Sequence, residues 1–375
     1  MNLENSNLAY RQAGSSTLDA GRAHYPALDG LRGLAILLVV VYHNFGFINV
    51  FFFGWLGVDL FFVLSGFLIT DILLKTVGEK GYLKNFYIRR VLRIFPLYYL
   101  SLILFLIVIP KTTIQLDLQY YVDHQIWLWT YLQNWIYTFQ SPGQTNALNH
   151  LWSLAVEEQF YLLWPLAVLI IRKPGYLLLF ISLVLVAVVG LRLLVWMNQI
   201  SDLAYFNLYT FTRVDGLCIG CMIALLQRVK SNFLHQNRGL IVLCFAGLNF
   251  GFFFVNRRYQ FSFPYLALAG YTTFAMMFGL LVNEAVTSQS KLINFLFNNS
   301  LLKFFGKISY GFYVFHWPVY LLLFPYLLPW MSKFANGAIV QFLVSVMATL
   351  AAIVISWLSY QYYEKYFLKL KDKFV

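Results

Sequence analysis

Charge is what this sequence has least of. Only 11% of its 375 residues are Asp, Glu, Lys or Arg, under half the ~25% usual in a soluble domain. An ordinary water-solvated fold is thereby excluded. Long polar intervals are missing too, so no stretch remains in which a separate soluble domain could form, and one membrane domain is expected. Cysteine is nearly absent: Cys218, Cys221 and Cys244 all fall inside apolar runs, which excludes a disulfide framework and leaves no signal of redox compartment. The spacing Cys218-x-x-Cys221 invites redox or metal chemistry. A lone CxxC on a hydrophobic helix more often serves small-residue packing, and no metal site is expected. Acidic residues number 15 against 27 Lys and Arg, a formal charge of +12. Such an excess points to nucleic acid when it clusters on one exposed surface, but here it is dispersed in short segments between apolar runs. No nucleic-acid partner is expected; the lipid bilayer accounts for the excess.

What is abundant is apolar surface: 60% of residues are hydrophobic and 19% aromatic. Apolar runs near or above the ~18-residue spanning length recur along the whole chain. The expected fold is all-α, a polytopic transmembrane helix bundle of about ten spans near 33–52, 56–75, 94–110, 150–171, 176–198, 210–228, 239–255, 263–283, 308–328 and 336–360. An N-in, C-in orientation collects Arg22, Arg32, the group from Lys75 to Arg93, Arg172, Lys173, Arg228, Lys303, Lys307 and the lysines from Lys365 onward on the cytoplasmic side. It leaves Lys111, Arg257, Arg258 and Lys333 outside, as the positive-inside rule requires. Residues 1–24 read as a flexible cytoplasmic tail rather than a signal peptide, because no apolar core or cleavage-like pattern precedes the first span. The membrane domain is expected over 25–365 and a basic cytoplasmic tail over 366–375. Segment 111–149 is aromatic but interrupted by Asp123 and His124, and reads as an interfacial or re-entrant outer segment.

Ionisable residues inside such runs are costly and therefore informative. Arg32 and His43 are eleven positions apart, within about 20° of one helix face and about 16 Å apart along it. That sets a cation at the cytoplasmic rim and an imidazole near mid-bilayer, either a snorkelling Arg with a structural His or a general base. In "NHLWSLAVEEQFYLLWP" (149–165), His150, Ser153, Glu157 and Tyr161 form one stripe that should face the interior. Glu157 can there orient His43 as the acid does in hydrolase triads, or Glu157 or Glu158 can pair with an Arg for assembly. In "KNFYIRRVLRIFPLYY" (84–99), Arg90 and Arg93 present two guanidinium forks suited to phosphate, with Arg89, Lys84 and the stacking ring of Tyr87 nearby; lipid head-group anchoring is the alternative. Asp59 lies in the second span, with Ser65 and Gly66 as a small-residue patch. Arg213 and Asp215 open the sixth span as an ion-pair set. His316, just before Pro318, is a second titratable group or a buried structural His.

Six blocks in order carry a resemblance: "YPALDGLRGLAILLVVVYH", "GWLGVDLFFVLSGFLIT", "FYIRRVLRIFPLYY", "HLWSLAVEEQFYLLWP", "RVDGLCIGCMIALL" and "ISYGFYVFHWP". Together they resemble the membrane-bound acyltransferase-3 family, bacterial O-acyltransferases of O-antigen, exopolysaccharide and related glycans. The resemblance implies transfer of an acyl group, usually acetyl, from cytoplasmic acetyl-CoA to a hydroxyl of a cell-surface or lipid-linked glycan, in the inner (cytoplasmic) membrane. Acyl-CoA is then a co-substrate and no cofactor is permanently bound. The family's R-x10-H maps onto Arg32 and His43, its R-x-x-R onto Arg90 and Arg93, and its S-x-x-x-E onto Ser153 and Glu157. His43 and Glu157 become the expected catalytic residues, Arg32, Arg90, Arg93 and Tyr87 the donor-binding ones. Asp59, Ser65, Ser153, Glu158, Arg213, Asp215 and His316 are expected to support them. Some relatives carry an extra periplasmic esterase-like domain; with only "EKYFLKLKDKFV" after the last span, none is expected to act here. The rival class is a proton-coupled transporter of a small solute, against which stand the lack of an evident inverted pair of Gly- or Pro-broken spans and the cytoplasmic Arg pair.

Overall fold

The computed structural model describes residues 25–371 apart from 115, 143–146, 199–203, 230–238, 240–242, 252–264, 288–290 and 334–336, together with 373 and 374. Every regular element among them is helical. Among the described residues seven helices are long and apolar enough to cross a membrane: α1 (Pro26–Phe45), α2 (Asn49–Thr76), α3 (Tyr82–Lys111), α7 (Asn149–Ile171), α8 (Pro174–Met197), α12 (Ser300–Met331) and α13 (Ala338–Lys371). Between them lie the short helices α4 (Gln119–Asp123), α5 (Gln125–Trp129), α6 (Gln133–Phe139), α9 (Asp215–Arg228), α10 (Tyr271–Thr287) and α11 (Lys291–Phe297). Of the remaining expected spans, 210–228 is a turn at Thr210–Arg213 followed by the 14 residues of α9. The span 263–283 appears as the 17 residues of α10. Of the span 239–255, residue 239 and residues 243–251 are described and helical; the tail 1–24 lies outside the described residues, and of the tail at 366–375 the first six residues continue α13.

Several helices begin earlier than the apolar pattern alone suggests. Pro26 occupies the first turn of α1 with Asp29 beside it, where a missing N–H costs nothing and a carboxylate complements the helix dipole. Arg32 is therefore six residues into the helix, and His43 sits two residues before its end rather than at mid-span. α3 likewise starts after Gly81, whose φ of 83° suits glycine, and so carries Arg89, Arg90 and Arg93 within a helix instead of ahead of one.

Close packing of these helices depends on absent side chains. A Cβ on Gly33 of α1 would lie 2.0 Å from the Leu302 carbonyl oxygen of α12, and one on Gly66 of α2 equally near that of Leu217 in α9. Gly66→Ala is expected to destabilise the protein by about 1–3 kcal/mol through overpacking. A thermal melt of purified protein in detergent checks this; a wild-type midpoint would show that the helices can part without loss.

On α8 the residues Leu179, Leu183, Val186 and Leu194 form an exposed apolar face, intelligible only with lipid as the solvent. Among its described residues, the segment between α3 and α7 contains only the short helices α4 to α6. It folds down into the bundle: Tyr98 and Tyr99 of α3 donate to the carbonyls of Leu128 and Trp129, and the ring of Tyr131 stacks on Tyr98 at 4.1 Å. Tyr98 is thirteen residues from Lys111, about 20 Å of helix, so the segment returns well along α3 from that helix's end.

Candidate functional site

Helices α1 and α7 run antiparallel, and each carries its polar residues eleven positions apart, about 16 Å along the axis. Arg32 on α1 lies level with Glu157 and Tyr161 on α7, and His43 level with His150, ring centroids 6.4 Å apart. The helical stripe His150, Ser153, Glu157, Tyr161 thus becomes a ladder joining a cluster of arginines to a cluster of imidazoles.

At the cationic end, Arg32, Arg90 and Arg93 converge around Glu157, which is hydrogen-bonded to Ser65. The guanidinium of Arg90 lies 4.1 Å above the ring of Tyr161, and Arg32 also faces Asp29 at 3.7 Å. These groups line a cavity of about 90 Å³ whose other walls include Ser153, Tyr310 and Tyr313. Three guanidinium groups thus face one lining carboxylate in a partly desolvated space, with Asp29 beside Arg32 and Glu158 near Arg90; the wall they form is predominantly one of guanidinium forks, a geometry that matches anionic oxygens.

Ser153 and Tyr313 close the inner end of this cavity and lead onward. The Ser153 hydroxyl donates to the Tyr313 oxygen at 2.6 Å, and the Tyr313 hydroxyl donates to the His150 carbonyl. Behind Tyr313 stand three imidazoles. Pro318 has no N–H for the Val314 carbonyl one turn earlier, and His150 Nε2 donates to that freed oxygen at 3.3 Å. His150 is buried and its Nδ1 has no hydrogen-bond partner among the described residues. His316, fully buried on α12, sits with Nε2 3.2 Å from Nδ1 of partly buried His43, and Trp317 packs against the His43 ring at 5.2 Å. Among the described residues no three His, Cys, Asp or Glu side chains are arranged to hold a metal ion.

The expected pairing of Glu157 with His43 is not what the structure brings together. Because α1 starts seven residues early, His43 is level with His150; Glu157, about 10 Å further along α7, meets the arginines instead. Tyr87 does not line the cavity: its hydroxyl donates to the Leu162 carbonyl at 2.8 Å, tying α3 to α7. Glu158 lies near Arg90 with Oε1 unpartnered among the described residues. Asp59 and Arg213, read apart in the sequence, form one buried ion pair at 2.6 Å, with Asp215 3.9 Å from Arg213. Arg192 of α8, unsuspected amid "VVGLRLLVW", completes the group by pairing with Asp215 at 2.8 Å. Sequence reasoning also passed over Tyr313, although Tyr310, Tyr313 and His316 recur at every third position and so follow one another around the same side of α12. Cys218 and Cys221 are buried and free, with the Cys221 thiol on the Gly66 carbonyl at 3.6 Å.

A model of the acyltransferase-3 family, an acyltransferase domain, matches residues 25–360. The chain is 32% identical to the peptidoglycan O-acetyltransferase OatA of Listeria monocytogenes over 94% of its own length and 58% of that protein. It is also 32% identical to YrhL of Bacillus subtilis, a putative peptidoglycan O-acetyltransferase, over 91% of the chain and 54% of the relative. A putative O-acetyltransferase of Staphylococcus aureus is 31% identical over 92% of the chain and 58% of the relative. The chain thus spans a little over half the length of the curated relatives it matches. No solved structure matches it. The chain belongs to the acyltransferase-3 family.

Proposed function

We propose that this member of the acyltransferase-3 family is an integral membrane O-acyltransferase that moves an acyl group, acetyl in the first instance, from cytoplasmic acyl-CoA to a hydroxyl of a cell-surface or lipid-linked glycan. The reading takes residues 25–365 as one domain of ten spans, N-in and C-in, in the cytoplasmic membrane. One observation carries it: a cationic cavity fit for a phosphorylated donor is joined by a polar ladder to an imidazole cluster about 16 Å away. The donor's phosphates bind Arg90 and Arg93, with Arg32 at the same cavity, since guanidinium forks match phosphate oxygens. Its flexible arm carries the thioester along the Ser153–Tyr313 side toward the imidazoles. His43 takes the proton of the acceptor hydroxyl as that oxygen attacks the thioester carbonyl. Glu157, held among the arginines, orients the donor site rather than the base. Two relatives are named for peptidoglycan, which joins O-antigen and exopolysaccharide among the candidate acceptors; the aromatic segment between α3 and α7 offers ring faces for sugars.

Purified protein supplied with acetyl-CoA and a glycan is expected to release CoA thiol and acetylate the glycan. The transporter reading predicts solute uptake into proteoliposomes without thiol release, and that result would end the enzymatic one. Arg90→Ala and Arg93→Ala are each expected to raise KM for acetyl-CoA about 10–100-fold with a smaller change in kcat, the loss of one charge-assisted contact worth about 1.5–3 kcal/mol. An unchanged KM in initial-rate kinetics would remove the phosphate assignment.

A further inference from the structure

The His43–His316 contact assigns a direction to every proton in the pair. Nδ1 of His316 lies 2.8 Å from the Tyr313 carbonyl and 3.1 Å from that of Phe312. Carbonyls only accept, so this nitrogen carries the hydrogen, and the neutral ring must present a bare lone pair at Nε2. That lone pair lies 3.2 Å from His43 Nδ1, which also lies 3.0 Å from the Val39 carbonyl. Both neighbours of His43 Nδ1 are therefore acceptors. His43 is held as the Nδ1–H tautomer, and its Nε2, which makes no hydrogen bond among the described residues, keeps a free lone pair.

We infer that His316 is the positioning residue of the catalytic base, occupying the place expected of Glu157: it fixes the tautomer of His43 and accepts its Nδ1–H hydrogen bond during transfer. The inference rests on the proposed acyl-transfer reading. The acceptor hydroxyl gives its proton to His43 Nε2 while its oxygen bonds to the acyl carbon. The carbon–sulfur bond breaks, and the departing thiolate takes the proton back from Nε2. In between, His43 carries a positive charge, which the backbone carbonyl stabilises only as a dipole. The second imidazole accepts the Nδ1–H hydrogen bond with its lone pair and stabilises that charge, as a neutral counterpart of the acid in a triad. The rings that surround the pair are His150, 5.2 Å from His316, together with Tyr313, Phe312, Tyr42 and Trp317. Among the described residues no carboxylate contacts either imidazole.

Two amide substitutions separate this role from a structural one. The side-chain nitrogen of Asn matches Nδ1 of histidine, so His316→Asn keeps the tie to the Phe312 and Tyr313 carbonyls but no longer reaches His43. His316→Gln sets an acceptor oxygen at the Nε2 position. The expected result is a fall in kcat of about 100-fold in His316→Asn, with KM for acetyl-CoA within about 2-fold of wild type, and recovery to within about 10-fold of wild-type kcat in His316→Gln. Wild-type kcat in His316→Asn, or a Gln variant as impaired as the Asn one, would overturn the assignment. If wild-type protein itself releases no thiol, the functional reading fails and the pairing is judged separately. An unprotonated imidazole nitrogen attacks diethyl pyrocarbonate and becomes carbethoxylated, and peptide mass spectrometry follows that addition at His43. A rate at least 5-fold lower in His316→Asn than in His316→Gln upholds the pairing; equal rates reject it.

Discussion

His43→Ala is expected to lower acyl transfer by about 10²–10⁴-fold, the usual worth of a general base, while leaving the protein folded in the membrane. The asymmetry follows from where the residue sits. His43 lies in the last turn of α1, partly buried, with one hydrogen bond to the Val39 carbonyl and one contact to His316 Nε2, and with the rings of Tyr42, His150 and Trp317 around it. Two such hydrogen bonds are worth about 0.5–1.5 kcal/mol each, a tolerable loss for a protein whose folded state depends on buried helix faces elsewhere. Detergent-purified wild type and variant should therefore elute alike on size exclusion and melt within a few degrees of each other, yet differ by orders of magnitude in thiol release from acetyl-CoA. A monodisperse His43→Ala protein with wild-type rate would move the chemistry away from the imidazole cluster altogether.

Arg213→Gln should do the opposite and damage the fold first. Its guanidinium pairs with Asp59 at 2.6 Å and lies 4.2 Å over the ring of Tyr271, and all of the charged partners are buried. Arg192 is already engaged with Asp215, with Thr272 and with the Thr212 carbonyl. Without Arg213, Asp59 keeps its burial and loses its counter-charge. Stranding a buried charge in this way costs about 3–5 kcal/mol, a large share of the 5–15 kcal/mol by which folded domains are stable. A steep drop in melting temperature and in monodisperse yield is expected. The double variant Asp59→Asn with Arg213→Gln should recover part of it, because neither charge is then left alone. If the single variant melts with the wild type, the ion pair does not hold α2 to the turn before α9.

The polar stripe on α7 was legible because helical periodicity alone sets His150, Ser153, Glu157 and Tyr161 on one face, and the cost of polar groups in lipid turns that face inward. The arginine forks of α3 were legible for their chemistry but not their place: an apolar-run criterion starts the helix after them, whereas the Gly81 turn starts it before. The same displacement in α1 changed the partner of His43. Arg192 gave no warning at all, since one cation in a long apolar run looks the same whether it snorkels or finds a buried carboxylate on another helix.

Composition and periodicity by themselves determined that the chain is a membrane helix bundle, which faces of its helices are polar, and that arginines, imidazoles and carboxylates would share its interior. Those are properties of angle around a single helix, at 100° per residue, and need no second element. Which carboxylate meets which cation, and that the partner of His43 is His316 and not Glu157, depend on the sliding of helices past one another in steps of about 1.5 Å per residue. Only packing decides that register, through contacts as local as Gly33 on Leu302 and Gly66 on Leu217.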